Sequence, residues 1–199
     1  MAGQLEIIAG PLSLFLAPVG TAFPVITAAP GAPWAGVGTN TTRNYSDDGV
    51  SVTHDQKIEQ ARPAGALGPV AAWRTEEDLT FTVTLWDMTL EQYALALSGV
   101  APTTTAAGVG TPGTRRIGLS RGGTLKTYAL LARGVSAYAE TMPAQYEVPI
   151  CYQSGSPKPV FKKGKPAGLE LVFTALESAA AASDLERFGR LVMQHQAAL

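Results

Sequence analysis

Charge is scarce in this chain. Only 16% of its 199 residues are Asp, Glu, Lys or Arg, against about 25% in an ordinary globular protein. A lone molecule with so little charge has a poorly solvated surface, so partners are expected to cover much of it. The balance is nearly even, 15 basic against 16 acidic residues for a net charge of −1. That excludes a protein that grips nucleic acid through a basic field. There is one cysteine, Cys151, which excludes an internal disulfide framework and fits a reducing compartment. One Cys and two distant histidines, His54 and His195, cannot supply a closed zinc set. No apolar run approaches the roughly 20 residues of a membrane helix. No basic stretch leads into an apolar one at the start, so no signal peptide is expected.

What is present is organised around residues 79–99. Leu79, Phe81, Val83 and Leu85 alternate with Thr80, Thr82 and Thr84, which predicts a strand with one apolar and one threonine face. The period then changes. Thr89-Leu90-Glu91-Gln92 reads as a capping box, with Thr89 as N-cap and Gln92 reaching back, and Met88 and Tyr93 as a hydrophobic staple. Leu90, Tyr93, Ala94 and Leu97 share a helical face, and Gly99 supplies the stop.

Along the rest of the chain, 12–17 reads as a strand. Residues 18–38 form an irregular covering segment, because Pro24, Pro30 and Pro33 forbid a ladder, and Phe23 and Trp34 would anchor it. Ser46-Asp47-Asp48-Gly49 carries a turn signature. Residues 50–58 form a strand with Val50, Val52 and Ile58 on one face, 61–69 a loop, and 73–78 a lead into the strand at 79. Residues 101–113 read as a Thr/Ala/Gly linker. A hairpin is expected between 115–121 and 125–135 about Gly122-Gly123. Tyr146, Val148, Ile150 and Tyr152 alternate, and Pro149 places that strand at an edge or a bulge. A Pro/Lys loop spans 154–165. Leu169, Leu171, Phe173 and Ala175 mark a last clear strand. The tail 179–199 reads either as a helix on Leu185, Phe188, Leu191 and Val192 or as an extended strand. About seven strands in hairpins and one helix give a mainly β fold, an antiparallel sandwich or barrel with one flanking helix, in a single domain spanning 1–199 with arms or loops at 18–49 and 101–113.

Catalytic chemistry finds no constellation. Cys151 has no basic neighbour or helix start to activate it and reads as a strand residue, as does His54. Asp47-Asp48 lacks the later oxygen ligands of a calcium loop. Gly36-Val37-Gly38 neither follows a clear strand nor opens a helix, so it is no dinucleotide fingerprint. Lys162-Lys163-Gly164-Lys165 reads as a solvated hairpin tip. Glu76, Glu77 and Asp78 form an acidic cluster, either a solvated strand entry or a surface that keeps a passing polyanion from sticking. No enzyme activity, cofactor or metal is expected.

Several phrases together carry a family likeness. They are Gly10-Pro11-Leu12, Ala17-Pro18-Val19-Gly20-Thr21, Trp34 with Gly36 to Gly38, the strand 50–58, and the segment 74–86 running into 89–99. The closing strand 168–176 and Glu186-Arg187-Phe188-Gly189-Arg190 complete the pattern. The chain resembles the tail tube (major tail) proteins of long-tailed bacteriophages. The resemblance implies a virion structural protein, assembled in the bacterial host cytoplasm, whose hexameric rings stack into the tail tube. Neighbouring strands would join into an inner barrel through which genomic DNA passes at ejection without specific binding. Its partners would be further copies of itself and the tape-measure, tail-terminator and distal tail proteins, with no membrane role. The helix would pack outside that barrel over the sheet's outward apolar face. Glu76, Glu77 and Asp78 would line or border the channel. The alternatives are the tube of a contractile tail or secretion system, and a sandwich-type binding module of a baseplate or particle surface.

Overall fold

The computed structural model describes residues 7–97, 99–136 and 142–194. Ten strands and one α-helix follow in order. They are β1 (Ile8–Ala17), β2 (Ala35–Gly36), β3 (Tyr45–Ala61), β4 (Ala71–Leu85), α1 (Leu90–Ala96), β5 (Thr103–Thr105), β6 (Thr114–Arg116), β7 (Thr127–Ser136), β8 (Pro143–Gln153), β9 (Leu169–Ala175) and β10 (Arg190–Met193). The fold is mainly β, and every pairing in it is antiparallel.

Eight strands form one sheet in the order β2-β1-β7-β8-β9-β4-β3, with β10 added beside β8. β8 is central rather than an edge. β7 runs along one side of it, while β10 takes residues 144–147 and β9 takes 151–153 on the other. Pro149 falls where the β7–β8 register breaks, between Tyr128 and Leu130. The ladder is interrupted there, so a residue without an N–H costs little.

The sheet curls until β3 approaches β1. Parts of β1 and β3 come within 8 Å, and one face of the curl holds the main core. Leu14, Leu85, Leu130, Leu169, Leu171, Phe81 and Phe173 are all wholly buried there. The period-2 pattern of 79–85 places Leu79, Phe81, Val83 and Leu85 inward and Thr80, Thr82 and Thr84 on the half-covered opposite face.

Several expectations change. Ser46 to Gly49 do not turn the chain; they lie within β3 as a bulge, between the Tyr45–Leu85 and Val50–Val83 partners. Gly49 takes a φ of +67° there, so the turn-like residues serve a bulge instead of a reversal. Ile58, read with Val50 and Val52, is exposed, because a second register shift separates it from them and the strand has left the core. The segment 101–113 is no plain linker: β5 pairs with β6 across it. The hairpin about Gly122-Gly123 does not form. β6 pairs with β5, and β7 pairs with β1 and β8, so long-range pairing overrides the local turn signal. Within the described residues the tail carries a strand at 190–193, the extended alternative.

Thr89 caps α1 by accepting the Gln92 N–H at 3.3 Å, but the Gln92 carboxamide oxygen does not return the bond. The helix also packs on the main core through Ala96, with Tyr93 and Leu95 beside it. The opposite face is covered instead by the segment after β1, where Phe23 and Trp34 meet at 5.3 Å over Ala17, Ala129 and Leu131. Helix α1 sits at the Leu85 end because only a short connection separates it from β4.

Candidate functional site: open strand edges and a projecting arm

β4 is longer than the sheet that supports it. β9 pairs only with Thr80 to Leu85, yet β4 begins at Ala71 and stays paired with β3 out to Ala61–Ala71. Before Thr80, β4 therefore has β3 as its one partner among the described residues. Residues 53–60 and 71–78 are exposed on both faces. At about 3.3 Å per residue this arm extends roughly 25 Å beyond its last partner on β9. Its end carries Leu67 fully exposed, with Val70 and Trp73 also open to solvent.

An arm of this kind has unusual edges. Among the described residues β3 pairs with β4 alone, and in the arm β4 pairs with β3 alone. Both sides of the arm thus present unpaired backbone donors and acceptors, each row a template for a further strand. Between the bulge at 46–49 and the shift at Lys57/Ile58, β3 runs regularly from Val50 to Lys57.

The register separates the acidic trio. Glu76 and Asp78 share the face of Thr80, Thr82 and Thr84, while Glu77 points to the other. Lys57 meets Glu76 at 3.0 Å and Arg74 meets Glu77 at 3.2 Å, all well exposed. Asp78 stands directly opposite Asp55, a like-charge pair that weakens a ladder. No ion pair among the described residues relieves either aspartate.

The end of the barrel away from the arm has the opposite character. β8 leaves and β9 enters there through loop 154–168, which carries Lys158, Lys162, Lys163 and Lys165 and no carboxylate. Loop 117–126 lies against it, with Arg121 Nη2 donating to the Gly155 carbonyl at 3.0 Å. Lys162 and Lys165 bridge a tight reversal, as the Lys-Lys-Gly-Lys pattern predicts.

Comparison with protein-family models and with curated proteins finds no match.

The residues considered for chemistry lie apart. Cys151 is wholly buried in the main core, and burial pushes its thiol up to about 12. It is a thiol at neutral pH, whereas the nucleophile is the thiolate. His54 lies on the arm, opposite Leu79. Among the described residues no group of three or more His, Cys, Asp and Glu converges as a metal site would. An apolar groove of about 660 Å³ separates α1 from β1 and β2, walled by Leu16, Val19, Val37 and Leu95. Glu91 on its rim is bound by Arg115, which holds its carboxyl below the usual range.

A polar cluster fixes the cover on the sheet. Gln145 and Glu147 are buried on β8. Gln145 Nε2 donates to the Pro24 carbonyl at 3.0 Å, and Arg133 donates to Ala28 and Gln145. Arg190 Nε meets Glu147 Oε2 at 2.7 Å, which raises the arginine further above its ordinary value. Gln145 Nε2 also donates to Glu147 Oε1, so β10 is linked to the segment over β7 through Glu147 and Gln145 together. Sequence reading missed this cluster. Its only trace was polar Gln145 and Glu147 alternating with apolar residues, which also describes an exposed face.

Proposed function

We propose that this protein is a self-assembling structural subunit of a tube, of the kind that forms the tail of long-tailed bacteriophages, built from stacked hexameric rings. The open edges of the arm are the observation that carries this reading. A monomer normally shortens, bulges or covers its strand edges, because an exposed row of N–H and C=O groups recruits other chains. Here β3, from Val50 onward past its bulge, keeps one side without a strand partner among the described residues. A head-to-tail contact that joins one open edge to a different edge of the next copy closes into a ring when the rotation allows. The scarcity of charge and the apolar residues at the arm tip fit surfaces that become contacts. In such a ring the half-covered face with Thr80, Thr82, Thr84 and Thr174 would suit a lumen, since hydroxyls neither attract nor strongly repel DNA.

Negative-stain electron microscopy of the concentrated protein tests this. Rings or hollow tubes are expected. Dispersed single molecules at every concentration and salt would overturn the tube reading and favour a monomeric binding module.

A further inference from the structure

The two ends of the barrel carry opposite charge, and the strand directions fix which end is which. β4 enters from the arm, passes Thr80 opposite Thr174, and leaves at Leu85 opposite Leu169. The arm thus leaves the barrel beyond Ala175, while the lysine loop leaves it beside Leu169, at the other end of the same strand. On the arm, Asp55, Glu76 and Asp78 crowd one face with Lys57 as their one cation. At the far end, Lys158, Lys162, Lys163 and Lys165 are exposed, with Arg121 against the same loop, and no ion pair among the described residues engages any of these five.

We infer that the arm of one copy docks its Asp55/Asp78 face on the lysine loop (154–168) of a second copy placed end to end with it. The proposal rests on the tube reading and names its axial contact: edges join copies around a ring, and charge joins ring to ring. Three observations support it. Asp55 and Asp78 oppose each other while the one cation on their face, Lys57, is paired with Glu76, an arrangement that an incoming cation relieves. The loop offers four lysines and no acid, so its own repulsion falls on contact. Apolar groups accompany both charges, Trp73 on the arm and Val160 and Phe161 on the loop, all exposed. Because donor and acceptor surfaces lie at opposite ends, the contact is heterologous and repeats without limit, giving a polymer with direction. Like other contacts between exposed charges, it weakens as salt shortens the screening length to about 8 Å at 0.15 M and about 3 Å at 1 M.

The test is a charge swap in the full chain. One variant carries D55K and D78K, the other K162E and K163E, and circular dichroism confirms that each is folded. Sedimentation velocity and electron microscopy are read at about 0.05 and 0.5 M salt. The wild type is expected to form long tubes at low salt and mainly short ones or single rings at high salt. Each variant alone is expected to stop at rings, with at least tenfold fewer tubes, and a mixture of the two to recover tubes by alternation. Tubes of normal length from either variant alone would overturn the contact and leave the tube reading standing. Failure of the folded mixture to recover tubes would likewise overturn it. A wild type that remains single at both salts would remove the tube reading and this contact together.

Discussion

The hydroxyl of Tyr45 joins strands that do not pair with each other. It accepts the Leu14 N–H at 3.1 Å and donates to the Val37 carbonyl at 3.0 Å. Val37 in turn donates its N–H to the Leu14 carbonyl at 2.9 Å. One side chain at the start of β3 thus satisfies the outer edge of β1 where the curled sheet closes. Burial pushes the phenol up to about 12, partly offset by the bond from Leu14.

Tyr45→Phe keeps the ring and removes both bonds, leaving a buried donor and acceptor unpaired. A loss of about 1–3 kcal/mol is expected. Urea denaturation should show a lower midpoint with an unchanged slope. An unaltered midpoint would mean that the seam does not depend on this hydroxyl.

Gly189 holds the entry to β10. Its φ is +125°, and a Cβ there would lie 2.1 Å from the Glu147 carbonyl oxygen. Gly189→Ala should therefore displace β10 from β8 and separate Arg190 from Glu147, which stays buried without its cation. The expected cost is about 2–4 kcal/mol. Amide exchange at 190–193 should accelerate far more than at β9, and equal acceleration would refute local detachment.

Cys151 makes stability depend on alkaline pH. Its folded pKa is raised from 9.0 to about 12 by burial. The contribution is fully present below pH 9 and is lost as pH rises from 9 towards 12, at up to about 1.4 kcal/mol per pH unit. The difference in denaturation free energy between the wild type and Cys151→Ala should shrink over that range. Tyr45 titrates there in both proteins and cancels. A constant difference between pH 7 and 11 would contradict the burial argument.

Trp34 pins the cover on the second face. Its Nε1 donates to the Ala22 carbonyl at 3.1 Å, and its ring packs on Phe23. Trp34→Ala should cost about 3–5 kcal/mol and expose 18–33 to protease before the barrel itself is cut. Simultaneous cleavage of both would show that the cover and barrel unfold as one.

The parts legible in the sequence were those whose signals are local. Residues 79–85 alternate because one face is buried, and Thr89 caps because its hydroxyl lies three residues from the N–H it accepts. The signals that misled were also local, at places where distant pairing decided the outcome. Asp47-Asp48-Gly49 has turn chemistry, but β4 holds both flanks in a ladder and leaves only a bulge. Gly122-Gly123 could turn a hairpin, but β7 has β1 and β8 for partners. The acidic cluster and the lysine loop were each visible as runs of charge. Their position at opposite ends depends on the β4–β9 register, which no short window of sequence contains.

The seam beside Tyr45 is the weak line in the wall. Adjacent strands elsewhere in the barrel are held by rows of backbone bonds, whereas β1 and β3 are joined through a phenol and the short strap at Val37. Bending or stretching of the cylinder would concentrate there, opening it like a cuff along one line while the hairpins on either side stay whole.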